Sequence, residues 1–475
     1  MGANFLSNCN GDKIFKLYPH KMIQIDDNFY FFTSASNKIS KIDDDFKYII
    51  ENHGKPYAEM EKNATKRMTR SRFEEVLSIM GDRGIIQCEE DENKIDEQHI
   101  HILEDTSIQS LILMVVQECN LSCVYCYGDD GEYKHSGKMS LEVATKSIDF
   151  LIQNRSENKG IGVVFFGGEP LLNFSLIKDV VDYIKVKEKE YGIRISKNIT
   201  TNATLINEEI EKYLIENHIN VKVSIDGWKE LNDKNRPFKN EKGSYETVIE
   251  NTKGLIGKNL ASIRATVTPD CLDTRKIIEH LKNLGSRDVG FAYADRMLTE
   301  EDYFKIYKIQ SSQLKAMEKD IKTESYAEVR EKYTIGFMLL SKIHQNFIAK
   351  FPCGTGRSMY AVDIQGNLFP CHRFVGEDSY VLGNINESEV PHRNKYLSEI
   401  ISDNRKQCHD CWVRNLCLGK CPHINLVLTG DVSKALPISC SLERALYEDV
   451  IKIYLRLSDK EKDILLDSKL KKMEC

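Results

Sequence analysis

Six times between residues 110 and 294 the sequence offers a strand-length apolar run, and most of these runs are followed by a helix-length periodic segment. The strand candidates are "SLILMVV", "GIGVVFF", "IRISKNIT", "NVKVSID", "ASIRATV" and "DVGFAYA". Segments such as "LEVATKSIDFLIQN", "SLIKDVVDYIKVKEKE", "NEEIEKYLIENH" and "DTRKIIEHLKNLG" carry helical periodicity between them. Repeated strand–helix units require a parallel sheet with right-handed crossovers, because a helix must return the chain before the next parallel strand starts. Six units build an open doubly wound sheet or an incomplete barrel, and either puts function at the carboxyl ends of the strands. Those ends hold the unusual residues. The first strand leads into "QECNLSCVYCYGDD", the second into "GGEP", the third into "TTNATL" and the fourth into "SIDG". Packing alone does not account for polar and glycine-rich chemistry on four successive strand ends.

A chain of 475 residues exceeds one ordinary domain, and its pattern divides it into residues 1–100, 101–340 and 341–475. The first region reads as the strands "HKMIQI" and "NFYFFT", further alternation in "NKISKID", two amphipathic helices in "DDFKYIIENHG" and "TRSRFEEVLSIMGDRG", and a short strand "IIQCE". Small strands with two helices form a winged-helix-like module, and the acidic "EEDENKIDEQ" reads as a linker. The third region has little long periodicity except in its tail, "ERALYEDVIKIYLRLSDKEKDILLDSKLKK", which reads as helix. A loop-rich segment of that kind folds only when stapled, and it holds seven grouped cysteines.

Net charge is −6, so a basic nucleic-acid face is not expected. No apolar run approaches the length of a membrane span, and "MGANFLSNCNGDK" lacks the layout of a secretory signal. "MGANFLS" loosely fits a myristoylation pattern, but nothing else in the chain suggests a membrane role. A cytoplasmic location is expected. Thiols stay reduced there, and ten of the fourteen cysteines fall in two groups, which points to metal rather than disulfides.

The first group is Cys119-x3-Cys123-x2-Cys126, with Tyr125 before the last cysteine. Zinc wants a fourth ligand, and His135 is the nearest candidate. An iron–sulfur cluster with one iron free for substrate is the rival reading. The pattern C-x3-C-x-aromatic-C resembles the signature of the radical S-adenosylmethionine enzymes. That resemblance implies a partial (β/α)6 barrel of the TIM type. It also implies a [4Fe–4S] cluster on Cys119, Cys123 and Cys126, with S-adenosylmethionine chelating the fourth iron. One-electron cleavage then yields a 5′-deoxyadenosyl radical that takes hydrogen from the substrate.

By the same resemblance "GGEP", residues Gly167, Gly168, Glu169 and Pro170, contacts the methionine moiety, with Glu169 accepting from its ammonium. Thr201 and Asn202 are expected polar contacts, and Ser224 and Asp226 are expected near the ribose or carboxylate. Arg236 and Arg264 are candidates for the carboxylate, each equally readable as a simple ion pair. Tyr125 is expected against adenine or in the core.

The second group is Cys353-x12-Gly366-x4-Cys371, then Cys408-x2-Cys411-x5-Cys417-x3-Cys421, then Cys440. A pair of zinc knuckles is the plain alternative. The full pattern is similar to the SPASM domain of radical peptide maturases, which implies two auxiliary [4Fe–4S] clusters and so three in the chain. Cys408, Cys411, Cys417 and Cys440 would close one; Cys353, Cys371 and Cys421 would hold the other, one ligand short. Candidates for the gap are Cys9, Cys88, Cys271, Cys475 and His372, or an open iron that binds a substrate thiolate. Cys271, after the fifth strand, is the most credible distant ligand. His372 stands where sulfatase-maturing relatives carry an acidic proton acceptor, so it is a candidate base, or else a packing histidine.

In this company residues 1–100 resemble the recognition element of ribosomal-peptide maturases, which binds a precursor leader by adding a strand to its sheet edge. The resemblance as a whole is to ranthipeptide and sactipeptide maturases. It implies thioether formation between a cysteine sulfur of a precursor peptide and a carbon of an acceptor residue. The auxiliary clusters would take the surplus electron, and a reductase, flavodoxin or ferredoxin would act as donor. Carbon–carbon linkage, oxidation of Cys or Ser in a protein, and a zinc-stapled binding protein without catalysis are the rival readings.

Overall fold

The computed structural model of the chain describes residues 13–88, 106–258, 260–286 and 288–466. The acidic linker, Cys9 and Cys475 lie outside them. The chain divides into two compact units. One is formed by the described parts of Met1–Ile102, Tyr307–Pro352 and Ile400–Cys475, the other by those of Leu103–Ile306 and Cys353–Glu399.

In the first unit, β1 (Phe15–Leu17) is followed by a meander of β2 (His20–Ile25), β3 (Asn28–Thr33) and β4 (Ile39–Ile42). Asp26 and Asp27 make the two-residue turn between β2 and β3, and Asp26 takes the positive φ, 50°, that such hairpins need. Helix α1 (Asp44–Glu51) starts because the Asp43 carboxylate accepts from the Asp45 and Phe46 N–H groups at 3.0 Å. Helices α2 (Tyr57–Ala64) and α3 (Arg70–Asp82) follow, and β5 (Ile86–Cys88) returns to pair with β1.

Two helices are expected here and three are present among the described residues. Helix α2 escapes a periodicity reading because only Met60 and Ala64 of its residues are buried. The meander buries both faces. Phe31 and Ile42 pack with the helices, around Phe46, Phe73 and Leu77. Ile23 and Phe32 face a second core built with Leu340, Trp412, Val450 and Leu465.

The tail expected as one helix is two, Pro437–Arg456 and Asp459–Leu466. The break lies at Ser458, whose hydroxyl accepts from the Glu461 N–H while Glu461 accepts from the Ser458 N–H, at 3.3 and 2.7 Å. That reciprocal cap stops one helix and starts the next. No helix among the described residues is long and apolar enough to cross a membrane.

The second unit holds the predicted parallel sheet. Its strands are β6 (Ser110–Gln117), β8 (Ile161–Gly167), β9 (Ile195–Thr201), β10 (Ile219–Ser224), β11 (Ala261–Val267) and β12 (Val289–Tyr293). They pair in parallel in the order β12-β11-β10-β9-β8-β6. Strand β6 is buried along almost its whole length, which explains a run without polar alternation. Four further strands extend the sheet. Strand β7 (Gly137–Lys138) pairs antiparallel with the end of β6. Strand β13 (Met359–Val362) pairs parallel with β6 on the side away from β8 and leads through β14 (Asn367–Phe369) to β15 (Gly383–Asn384). These four are two to four residues long and give no periodic signal. The result is the α/β partial barrel expected of the radical S-adenosylmethionine type.

Phe73 is wholly buried in α3. Replacing it by alanine is expected to cost about 3–5 kcal/mol. Hydrogen exchange should report this as lost amide protection across α1 to α3, with the barrel amides unchanged.

Candidate active site at the carboxyl rim of the sheet

The first cysteine loop leaves β6 and is tied back by its own backbone. Ser122 N–H donates to the Pro237 carbonyl at 2.9 Å, Val124 N–H to that of Asn235 at 3.0 Å, and Cys126 N–H to that of Cys123 at 2.9 Å. The Gln117 side chain donates to the His135 carbonyl at 2.7 Å and accepts from the Ile364 N–H at 3.2 Å. Cys119, Cys123 and Cys126 are free thiols that feel one another electrostatically. Cys119 Sγ accepts from the Leu121 N–H at 3.4 Å and from Asn202 Nδ2 at 3.8 Å.

Burial pushes the Cys123 thiol up to about 12, with Arg236 working against it. Bare thiolates are therefore disfavoured here, and the donor set suits a group that brings its own positive charge. Among the described residues no three His, Cys, Asp or Glu side chains close on a single ion.

The glycine pair after β8 has a steric reason. Gly167 sits at φ 139°, and a Cβ there would stand 2.0 Å from the Val116 carbonyl oxygen. A Cβ on Gly168 would stand 2.1 Å from the Glu118 oxygen and 2.9 Å from the Cys119 nitrogen. Only glycine lets the end of β8 lie against the root of the cysteine loop. Gly168 N–H then donates to Val116 O at 3.0 Å and Glu169 N–H to Glu118 O at 2.9 Å. Pro170 opens the short 3-10 turn that follows.

Glu169 is fully buried and fixed from three sides. It accepts from Leu171 N–H at 3.0 Å, Thr201 Oγ1 at 2.7 Å and Asn202 N–H at 2.7 Å. Burial pushes its carboxyl up while those donors hold it down. Those three bonds leave one of a carboxylate's roughly four acceptor sites for a further donor. Asn202 Nδ2 also donates to Asn120 Oδ1 at 2.9 Å, and Asn120 Nδ2 donates to Thr204 Oγ1 at 2.8 Å. The third-strand motif thus grips the cysteine loop.

Tyr125, Asp226 and Arg236 form one buried chain. Arg236 Nη1 donates to the Tyr125 hydroxyl at 2.5 Å, and that hydroxyl donates to Asp226 Oδ2 at 2.7 Å. Thr266 N–H donates to Asp226 Oδ1 at 2.9 Å. Burial raises the Asp226 carboxyl, and Arg236 is the first group that opposes it. Burial works against the Arg236 charge, yet Cys123, Tyr125 and Asp226 hold it well above its ordinary value. Arg236, read from sequence as a carboxylate candidate or a simple ion pair, is bonded to Tyr125 and lies in the field of Asp226 and Cys123.

Arg264 differs. It lies opposite Ser224 in register on the neighbouring strand, and its side chain is exposed. The protein around it and the Arg373 cation lower its guanidinium. Among the described residues no carboxylate bonds to it. The Arg373 guanidinium lies 5.3 Å over the Tyr127 ring. His372 packs its ring 4.7 Å from Phe166 and 6.0 Å from Tyr127. Tyr127 also feels both Cys126 and Cys371 electrostatically. Asn120, Tyr127, Phe166, Thr266 and Arg373 were not singled out from the sequence. The signal available was adjacency, since Tyr127 follows Cys126 and Arg373 follows His372.

Of the second cysteine group, Cys353 and Cys371 belong to the barrel unit, and the other five to the first unit. Cys408, Cys411, Cys417 and Cys440 are linked electrostatically within their unit, and none is in a disulfide. Cys271 lies in the loop after β11, its thiol 4.0 Å from the Asp273 carbonyl. Cys88 ends β5, paired in register with Phe15.

Two substitutions test this geometry. Gly168→Ala is expected to cost one cluster of iron, about four atoms per chain, read by iron analysis, because the loop root must move. Arg236→Met leaves Asp226 buried without its cation and is expected to cost about 3–5 kcal/mol. Adding Asp226→Asn should recover part of that loss in a thermal melt.

Residues 113–281 match the family model of the Radical SAM superfamily, and residues 353–412 match that of SPASM, an iron–sulfur cluster-binding domain. An uncharacterized protein of Methanocaldococcus jannaschii is 41% identical over 186 residues, covering 39% of this chain and 62% of that one. A cysteine-type anaerobic sulfatase-maturating enzyme of Clostridium novyi is 33% identical over 152 residues, covering 31% of this chain and 40% of the enzyme. The chain therefore spans less than two thirds of either relative. The radical SAM cyclopropyl synthase TigE of Paramaledivibacter caminithermalis is 22% identical over 485 residues, covering 94% of this chain and 96% of TigE. The solved structure of native anSMEcpe with bound AdoMet and the Cp18Cys peptide shares the fold, with a TM-score of 0.57 and 21% identity over 74% of this chain and 100% of that one. The chain carries a radical SAM domain on an α/β partial barrel, together with a SPASM iron–sulfur domain.

Proposed function

We propose that the protein is a radical S-adenosylmethionine maturase that modifies a ribosomally made precursor peptide, forming thioether links between a cysteine sulfur and a carbon of an acceptor residue. The observation that carries this reading is Tyr127, which follows Cys126 of the first cysteine group and whose ring lies 6.0 Å from that of His372, the residue after Cys371 of the second. A cofactor-bearing loop and an auxiliary cysteine thus address one place, which suits chemistry on a carbon and a sulfur together.

In this reading residues 1–100 hold the leader, 101–340 form the catalytic barrel and 341–475 carry the auxiliary clusters. The meander's two outer strands, β2 and β4, offer edges for an added strand. Cys119, Cys123 and Cys126 hold one [4Fe–4S] cluster. Cys408, Cys411, Cys417 and Cys440 hold a second, and Cys353, Cys371 and Cys421 hold a third with a place for the substrate sulfur. When bound, S-adenosylmethionine on its cluster supplies a 5′-deoxyadenosyl radical that removes a hydrogen atom from the acceptor carbon. Glu169 and Asn202 hold the cysteine loop in place for it. Ser224 and Arg264, adjacent in register, take the cofactor's carboxylate. His372, next to Cys371, receives the proton that the substrate thiol gives up.

Two observations favour neighbouring chemistries. The likeness to TigE runs along 94% of the chain, which supports carbon–carbon bond formation. The 33% identity to a cysteine-type sulfatase-maturating enzyme supports oxidation of a cysteine in a protein.

The deciding experiment is anaerobic incubation of the reconstituted protein with S-adenosylmethionine, a reductant and a cysteine-containing precursor peptide encoded beside it. Each thioether should remove two hydrogens from the peptide mass and block alkylation of one cysteine. A loss of two hydrogens with every cysteine still alkylated would turn the reading to carbon–carbon chemistry. The intact protein should hold about twelve iron atoms in its three clusters. A colourless protein that forms no 5′-deoxyadenosine would overturn the proposal.

A further inference from the structure

Arg405 is the largest fully buried side chain among the described residues, with 0% exposure. A buried guanidinium keeps its charge, so the surroundings must be built around it. They are. Arg405 stands immediately before the helical turn Lys406–His409 that carries Cys408, and its carbonyl accepts from the Cys408 N–H at 2.8 Å and the His409 N–H at 3.1 Å. Its Nη1 reaches across to donate to the Gly419 carbonyl at 2.5 Å, between Cys417 and Cys421 in the chain. The same carbonyl accepts from Asn425 Nδ2 at 2.9 Å.

The segment that supplies this carbonyl is itself shaped for the purpose. Leu418, Gly419 and Lys420 all take positive φ, at 62°, 71° and 64°. Two of these are not glycine, and such strain persists only where the surroundings hold it. A Cβ at Gly419 would stand 2.0 Å from Arg405 Nη1, so the missing side chain is the space the guanidinium fills. Arg405 therefore links the turn carrying Cys408 to the turn between Cys417 and Cys421.

Other charges also lie near these cysteines. Lys420 is paired with Glu443, and Arg414 faces Asp403 at 3.8 Å. The potential of an iron–sulfur cluster depends on its net charge and on how little solvent screens nearby charges. A fixed cation favours the reduced, more negative form.

We infer that Arg405 is a positioning residue that raises the reduction potential of the cluster on Cys408, Cys411, Cys417 and Cys440. The inference rests on the reading that these four cysteines hold a cluster, which iron analysis tests separately. Cys408→Ala/Cys411→Ala should lower iron per chain by about four atoms, and an unchanged iron content would overturn the cluster assignment itself.

The potential is read by spectroscopically monitored redox titration of the full chain, reconstituted in a Cys119→Ala/Cys123→Ala/Cys126→Ala background so that auxiliary signals stand alone. Arg405→Lys keeps the charge, while Arg405→Gln keeps a donor for the Gly419 carbonyl without it. At a fixed applied potential near the midpoint, Arg405→Gln is expected to lower the reduced-to-oxidised ratio of one auxiliary cluster about tenfold, equivalent to about 59 mV for one electron. Arg405→Lys should stay near the parent. Equal midpoints for the lysine and glutamine variants overturn the inference. So does loss of iron from both, which would make Arg405 a purely structural link.

Discussion

The site depends on one close approach. The end of β8 lies against the root of the cysteine loop so tightly that a Cβ on Gly167 or Gly168 would overlap backbone atoms of Val116 or Glu118. Everything that follows is hung on that contact. The two hydrogen bonds it permits, Gly168 to Val116 and Glu169 to Glu118, deliver Glu169 into the interior, where Thr201 and Asn202 of the next strand bind it. Asn202 then reaches back to Asn120 and Cys119. Three successive strand ends are thereby tied together at the root of the cysteine loop, at Cys119.

Buried charge organises the rest. Arg236 is held among Tyr125, Asp226 and Cys123, and Arg405 between two cysteine-bearing turns. Each cysteine group that looks complete thus has an enclosed guanidinium beside it. Removing a cation from such a place costs far more than adding one at the surface, because the groups left behind stay out of water. Arg264 is different in kind, being exposed and repelled by Arg373, which suits a group that meets an anion only when ligand arrives.

Much of this was legible in the residues themselves. Strands β6 and β8 are legible because they are buried along nearly their whole length, so their sequences run apolar with little interruption, while β10 and β11 alternate buried positions with more open ones. The cysteine spacings and the rim motifs were readable because they are local. What escaped was either short or non-local. Strands β13 to β15 are too short to carry a period, and α2 buries too little. The split of the C-terminal helix rested on Ser458 and Glu461, a signal present in the sequence but outweighed by the apolar periodicity around it. For Arg236 the sequence left a carboxylate contact and a simple ion pair equally open, because its partners, Tyr125 and Asp226, lie 111 and 10 positions away. No local pattern marks Arg405 at all; its partner carbonyl is 14 residues on, and only burial reveals it.

The pairing of β13 with β6 has a consequence for how the chain comes to exist. Strand β6 is the apolar centre of the sheet, flanked on one side by β8, which is made early, and on the other by residues 359–362, which are made some 250 positions later. Until then the edge of β6 at Ser110–Leu113 lacks the partner it has in the finished sheet, and it is bordered by nearly continuous apolar side chains. The same edge is the one beside which Cys371 is finally delivered. An unpaired apolar edge of this kind is prone to association, and it is the last quarter of the chain that covers it.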